Sequence, residues 1–368
     1  MGRIRLLTGI DLPLAPSCGS MILCSDAYTA IGMEVSTRFL CLPPVDESWK
    51  PGFDEVEVCT SRKAPYGPDF ERYVDELTAE VAGRLQYTPH DVVHAQHLGY
   101  GLSLAFSRTI TTKPMLAIAH GTDVIDAMAS PQALAALREV VECSAEVILP
   151  TEALRDQVDE LTDGRFGSRL SVVPWGIPLG DVGRLREPAQ GHVLELLHAG
   201  RLDKNKNSIA ALESLAHTEQ PHRLTIIGSG PELDTLRTRC DVLDLTDRVT
   251  FRPFSTRASL WSVFADFDAF LMTTSGLEAF GLVGVEAQAH GLPVLYSDVA
   301  GMRGTLAGGG VPYEPGSPIS LAAELDRLAA DPGLRDTLGR HALENARRFD
   351  LETVSRLLLS ATSRALGR

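Results

Sequence analysis

Eleven short apolar runs, most of them separated by longer amphipathic stretches, constrain this chain more than any other feature. The runs in the first half are "RIRLLT", "EVSTRFL", "DVVHA", "MLAIA", "AEVILP" and "LSVVP". Those in the second are "VLELLHAG", "RLTIIG", "RVTFR", "DAFLM" and "PVLYS". Between most of them lie helical patterns such as "SPQALAALREVVECSA" and "NKNSIAALESLAHTEQ". Strands that alternate with helices build parallel sheets from crossover units, and that predicts an α/β fold. Eleven strands are many for one open sheet, so two doubly wound domains fit better. The Gly- and Pro-rich stretch "WGIPLGDVGRLREPAQGH", residues 175–192, has no periodicity and marks the expected linker. In such proteins the ligand is expected between the lobes, at the carboxyl ends of the strands.

Charge and cysteine usage exclude several classes. The net charge is −14, which disfavours nucleic acid and anionic membrane surfaces as partners. Residues 1–185 hold 15 Lys/Arg against 25 Asp/Glu, whereas residues 186–368 hold 19 against 23. The start has two arginines and a short apolar run, but Asp11 interrupts it, so it reads as a buried strand and not as an export signal. No apolar run is long enough to span a bilayer. The six cysteines contain no CxxC pair and read as reduced thiols, which points to the cytoplasm.

The chemistry is concentrated in a few loops. In "SGLEAFGLVGVEAQAHGLPV" a strand gives way to a loop holding Glu278, and a helix starts near Gly281. Gly291 and Pro293 end that helix. The amides of Phe280, Gly281, Leu282 and Val283 would form an anion site at the helix start. Glu278 and Glu286 flank it, and carboxylates there suit a ligand that carries hydroxyls as well as phosphate. Earlier, "HAGRLDKNKN" sets Arg201, Lys204 and Lys206 in one turn after a strand, a pattern suited to a diphosphate. "LTIIGSGPEL" begins like a dinucleotide fingerprint, but Leu233 stands where the third glycine belongs and no acid follows at the expected distance, so a nicotinamide site is rejected. In the first half, "PSCGS" can form a loop under a ligand, "DVVHAQH" supplies His94 and His97, and "AIAHGTDV" supplies His120 and Asp123. His94 is read as structural. The histidines lack ligand spacing and a cysteine partner, so no metal site is expected.

Taken in order, these segments together with "VVPWGIPL" resemble the GT-B glycosyltransferases of the large retaining group numbered family four, over nearly the whole chain. The resemblance implies two Rossmann-like domains that face a central cleft. Residues 1–183 would bind the acceptor, residues 184–349 would bind the donor, and a helix at 350–368 would pack back on the first domain. It implies transfer of a sugar from a nucleotide-diphosphate sugar, UDP-linked, without a metal or other cofactor. Arg201 and Lys206 would hold the diphosphate, and Glu286 the ribose. Glu278 and the amides of Phe280 to Val283 would hold the sugar and phosphate. The backbone around Arg252 would contact the base. His120 would face the donor sugar from the other lobe, with Gly19 beside the donor. Cys18, Ser20, His97 and Asp123 would face the acceptor. Catalytic duty falls to Glu278, His120, Arg201 and Lys206. Retention is attributed to front-face attack without a protein nucleophile.

Two departures stand out: Cys18-Gly19 replaces a Gly-Gly pair, and "DVAGMRGTL" after "PVLYS" has Ala300-Gly301 where a glycine pair followed by an acid is expected. The acidic first half, with five acids in "DESWKPGFDEVEV", suggests a small cationic acceptor such as an aminocyclitol or amino sugar, as in antibiotic assembly. A nucleotide-sugar epimerase on the same fold and a non-catalytic sugar-nucleotide binding protein stand as alternatives.

Overall fold

The computed structural model describes residues 2–16, 18–85, 89–110, 112–179, 192–276 and 278–368. Two compact units emerge, one of Met1–Pro178 with Leu351–Arg368 and one of Leu179–Asp350. Most of the expected linker, 180–191, lies outside the described residues. Among the described residues no helix is long and apolar enough to cross a membrane.

The first unit is a seven-stranded parallel sheet. Its strands are β1 (Ile4–Leu14), β2 (Val35–Val45), β3 (Glu55–Val58), β4 (Val92–Gln96), β5 (Met115–Ile118), β6 (Glu146–Leu149) and β7 (Leu170–Val172). They lie in the order β3-β2-β1-β4-β5-β6-β7, so the winding reverses between β1 and β4. The second unit holds β8 (Glu195–Ala199), β9 (Arg223–Ile227), β10 (Val249–Arg252), β11 (Ala269–Met272), β12 (Val294–Ser297) and β13 (Gly310–Tyr313). Their order is β10-β9-β8-β11-β12-β13, and the reversal falls between β8 and β11. In open α/β sheets the crevice beyond the strands' carboxyl ends at such a reversal is where ligands bind.

Central strands are buried on both faces and read as continuous apolar runs, which is why they were legible. Two strands were not. β3 is "EVEV", a half-exposed edge whose glutamates face arginines. β13 contains Pro312, tolerated at the sheet edge where one side of the ladder is unpaired.

The terminal helix Leu351–Ala365 belongs to the first unit. Its apolar face places Val354, Leu358 and Ala361 in one core with Ile4, Leu6, Val92 and Leu116. His94 ties it down: buried on β4, it meets Tyr28 Oη at 2.9 Å and Thr362 Oγ1 at 3.0 Å.

Candidate functional site

The turn after β8 and the loop after β11 form one body. Thr273 Oγ1 donates to Lys206 O at 2.7 Å, Thr274 Oγ1 to Asn205 O at 2.9 Å, and the Ser275 amide to Asn205 O at 3.0 Å. Beneath them buried His198 bridges Leu271 O and Ser208 Oγ, at 2.9 and 2.8 Å. This frame brings Lys206 Nζ to 2.5 Å from Glu278 Oε2, and both side chains are mostly buried. Glu278 Oε1 accepts the Gly281 amide at 3.3 Å. Lys206, Glu278 and the start of the helix Leu282–Ala289 are therefore joined, although each was expected to have its own ligand task. The Gly281 amide, expected to serve a ligand anion, is engaged by a carboxylate of the chain itself. Leu282 and Val283 begin the helix, where first-turn amides lack a carbonyl one turn back.

The remaining residues of this set are placed differently. Arg201 is 71% exposed, with Asp203 at 3.4 Å. Phe280 is buried edge-on to Phe349. Glu286 is 3% exposed, so its side chain is almost wholly shielded from solvent. Arg252 is exposed at the end of β10, and its carbonyl accepts the Gly228 amide at 3.1 Å.

Glycines in this unit serve the backbone. A Cβ on Gly228 would stand 2.0 Å from Gly200 O, and one on Gly230 2.3 Å from Leu202 O. The Gly-Ser-Gly turn thus exists to let the β8 turn pass, which explains the failed fingerprint. Gly301 is closer still: its Cβ would lie 1.7 Å from Glu278 O. The sequence flagged this segment only as a departure, yet its glycine sets the position of the Glu278 loop.

In the first unit the helix Gly19–Ala30 starts just after Cys18, and a Cβ on exposed Gly19 would meet nothing within 4 Å. Ser20 is half-buried in the first turn of that helix. His97 follows β4 with a left-handed φ of 68°, uncommon for a residue with a side chain. Its buried ring stacks on Tyr100 at 4.5 Å and lies 4.3 Å from His120, which in turn stacks on Trp175 at 4.9 Å. Burial lowers His120 to about 3 and holds His97 well below its usual range. Both rings are therefore neutral at physiological pH.

Asp123 corrects an expectation. It is fully buried, and its oxygens accept the amides of Leu98, His120, Gly121 and Val124 at 2.6 to 3.3 Å. Burial pushes its carboxyl up to about 6 although those amides pull the other way. It clamps the His97 and His120 loops from below and offers an acceptor no open face. The acidic stretch 46–58 is also largely answered locally. Asp54 pairs with Arg3, Glu55 with Arg38, and Glu57 with Arg38 and Arg84. Three of the five acids in that stretch are thus neutralised locally, while the net charge of the first half is unchanged.

Residues 187–345 match the family described as glycosyl transferases group 1. The second unit is a group 1 glycosyltransferase domain. A D-inositol 3-phosphate glycosyltransferase of Kineococcus radiotolerans is 30% identical over 261 residues, covering 62% of this chain and 59% of that one. A glycogen synthase of Mycobacterium tuberculosis is 27% identical over 367 residues, covering 90% and 86%. The Anabaena protein Alr3699/HepE, solved in complex with UDP and glucose, superposes with a TM-score of 0.78 at 19% identity, covering 98% of this chain and all of that one. The fold of the chain is the GT-B fold of such structures.

Sequence reasoning missed Gln96, Trp175 and Gly301. Gln96 lies between His94 and His97 in a quoted motif, and the two-residue period of a strand puts it on the face of His94. That signal was available. Trp175 carried none, because its contact with His120 is made across 55 residues.

Proposed function

We propose that this glycosyltransferase takes its sugar from a nucleotide-diphosphate donor, UDP-linked, and transfers it with retention to a hydroxyl of a small polar acceptor. The observation that carries the reading is the meeting of Lys206, Glu278 and the start of the helix Leu282–Ala289 across the β8/β11 reversal. A cation and helix amides at a strand-end crevice suit a diphosphate, and a carboxylate beside them suits a sugar hydroxyl. UDP in the Anabaena protein of the same fold supports the choice of base.

The chemistry follows from charge. The bond from the anomeric carbon to the β-phosphate oxygen breaks, and its electron pair leaves with the diphosphate. Arg201, Lys206 and the first-turn amides meet that charge in a preorganised setting, the kind of stabilisation that contributes most in enzymes. The acceptor oxygen bonds to the same face of the sugar, and its proton passes to the departing phosphate. Positive side chains take the role a metal would have, so the reaction proceeds without one. All six cysteines are free, in keeping with a reducing cytoplasm.

The test is a panel of nucleotide sugars incubated with the protein in excess chelator, scored for release of the nucleoside diphosphate. Release from a UDP-sugar is expected. Release that needs an added divalent ion overturns the metal-free reading, and no release from any donor overturns the reading as a whole.

A further inference from the structure

The hydrogen bonds behind His120 have only one consistent set of directions, and they begin at two carbonyls. Thr362 Oγ1 donates to Leu358 O at 2.8 Å, so it can only accept from His94 Nε2. Neutral His94, which burial lowers to about 3, then carries its proton on Nε2 and a lone pair on Nδ1. Tyr28 Oη must donate to that lone pair, at 2.9 Å, and must itself accept from Gln96 at 2.8 Å. The group of Gln96 that faces Tyr28 is therefore its amide nitrogen.

A second route gives the same answer. Thr8 Oγ1 donates to His94 O at 2.8 Å, so it accepts from Gln96 at 3.1 Å, which again requires the nitrogen. With both amide hydrogens used, Gln96 Oε1 is the atom that lies 2.9 Å from His120 Nε2. A carbonyl oxygen only accepts, so His120 carries its proton on Nε2. Its Nδ1 is left as a lone pair, and among the described residues that atom is buried and without a partner.

We infer that Gln96 is a positioning residue that locks His120 in the Nε2–H tautomer, so that Nδ1 can accept only a hydrogen donated by a substrate hydroxyl. The inference rests on the functional reading above only for what meets Nδ1; the tautomer rests on the hydrogen bonds alone. Nδ1 is buried in this structure, so the hydroxyl reaches it only when binding opens the packing around the ring. The terminal helix takes part through Thr362, and this gives its return to the first unit a chemical consequence beyond packing.

The test is long-range proton–nitrogen correlation NMR on protein labelled at histidine, with His120→Asn to assign the signal. The wild type should show His120 with a pyrrole-type Nε2 and a pyridine-type Nδ1. Gln96→Leu should give mixed tautomers and about a tenfold loss of kcat with little change in donor KM. Gln96→Glu, which keeps an acceptor opposite Nε2, should retain the tautomer and raise the pH of the acidic limb of the kcat profile. A wild-type His120 protonated on Nδ1 overturns the inference even if Gln96→Leu does not fold. So does a folded Gln96→Leu with unchanged tautomer and kcat. An Nε2–H tautomer in a protein that turns over no nucleotide sugar would instead uphold the lock and fail the functional reading.

Discussion

Lys206 Nζ lies 2.5 Å from Glu278 Oε2, and the same carboxylate holds the amide of Gly281. The two side chains proposed for opposite ends of the donor's scissile bond thus neutralise each other, so a diphosphate has to compete with Glu278 for Lys206. Glu278→Gln should bind UDP alone at least as tightly as the wild type, because the competing charge is gone. Its kcat should nonetheless fall by an amount worth about 2–4 kcal/mol, the usual loss for one preorganised contact. Calorimetry with UDP and steady-state kinetics with the UDP-sugar measure the two halves. Weaker UDP binding in the variant would contradict the competition.

Gly301 and Gly304 share one helix and should answer differently to alanine. A Cβ at 301 meets the Glu278 carbonyl, whereas a Cβ at 304 meets nothing within 4 Å. Gly301→Ala should displace the Glu278 loop, costing about 1–3 kcal/mol of stability as overpacking does, and lower kcat at least tenfold. Gly304→Ala should leave kcat unchanged and gain about 0.5–1 kcal/mol from helix propensity. Thermal unfolding and turnover of the pair decide it.

This pair also marks what the sequence could and could not convey. Central strands and the helix that closes at Gly291 announce themselves by apolar runs and by glycine and proline stops. The tasks of single residues in contact across the fold do not. Glu278 reads as a ligand residue, and nothing local says that it holds Lys206. Asp123 reads as an acceptor contact because it follows His120, and only burial shows that four amides occupy it. The glutamates of β3 read as an open acidic field because Arg38 and Arg84 are distant in the chain.

Acid should destabilise the protein through its buried histidines. Burial lowers His94 and His120 to about 3 and His198 to about 4, against about 6.5 for an exposed ring. Below about pH 6.5 the unfolded chain takes up protons that the folded one refuses, so this stability is full above that pH and is lost as pH falls toward 4. Asp123, raised to about 6, acts in the opposite sense between about pH 6 and 4, because the folded state holds its proton longer. Burial also holds His97 well below its usual range and raises the Asp11 carboxyl, so four such histidines stand against two carboxyls and stability should drop from pH 6.5 to 4.5 with a slope of about 1.4 kcal/mol per pH unit for each net proton. Urea unfolding across this range measures it, and His198→Gln should flatten the slope.

Lys206 decides the account most directly. The measurement is calorimetric titration of UDP, in excess chelator, into the wild type and into Arg201→Ala and Lys206→Ala. The wild type should bind UDP without a metal, and each variant should bind at least tenfold more weakly. Arg201→Ala should keep wild-type stability because its side chain is mostly exposed, whereas Lys206→Ala should lose some because Glu278 is left largely buried without its cation. Equal UDP affinity in all three proteins, or no affinity for any nucleoside diphosphate in a folded wild type, would contradict the claim that this crevice is the donor site.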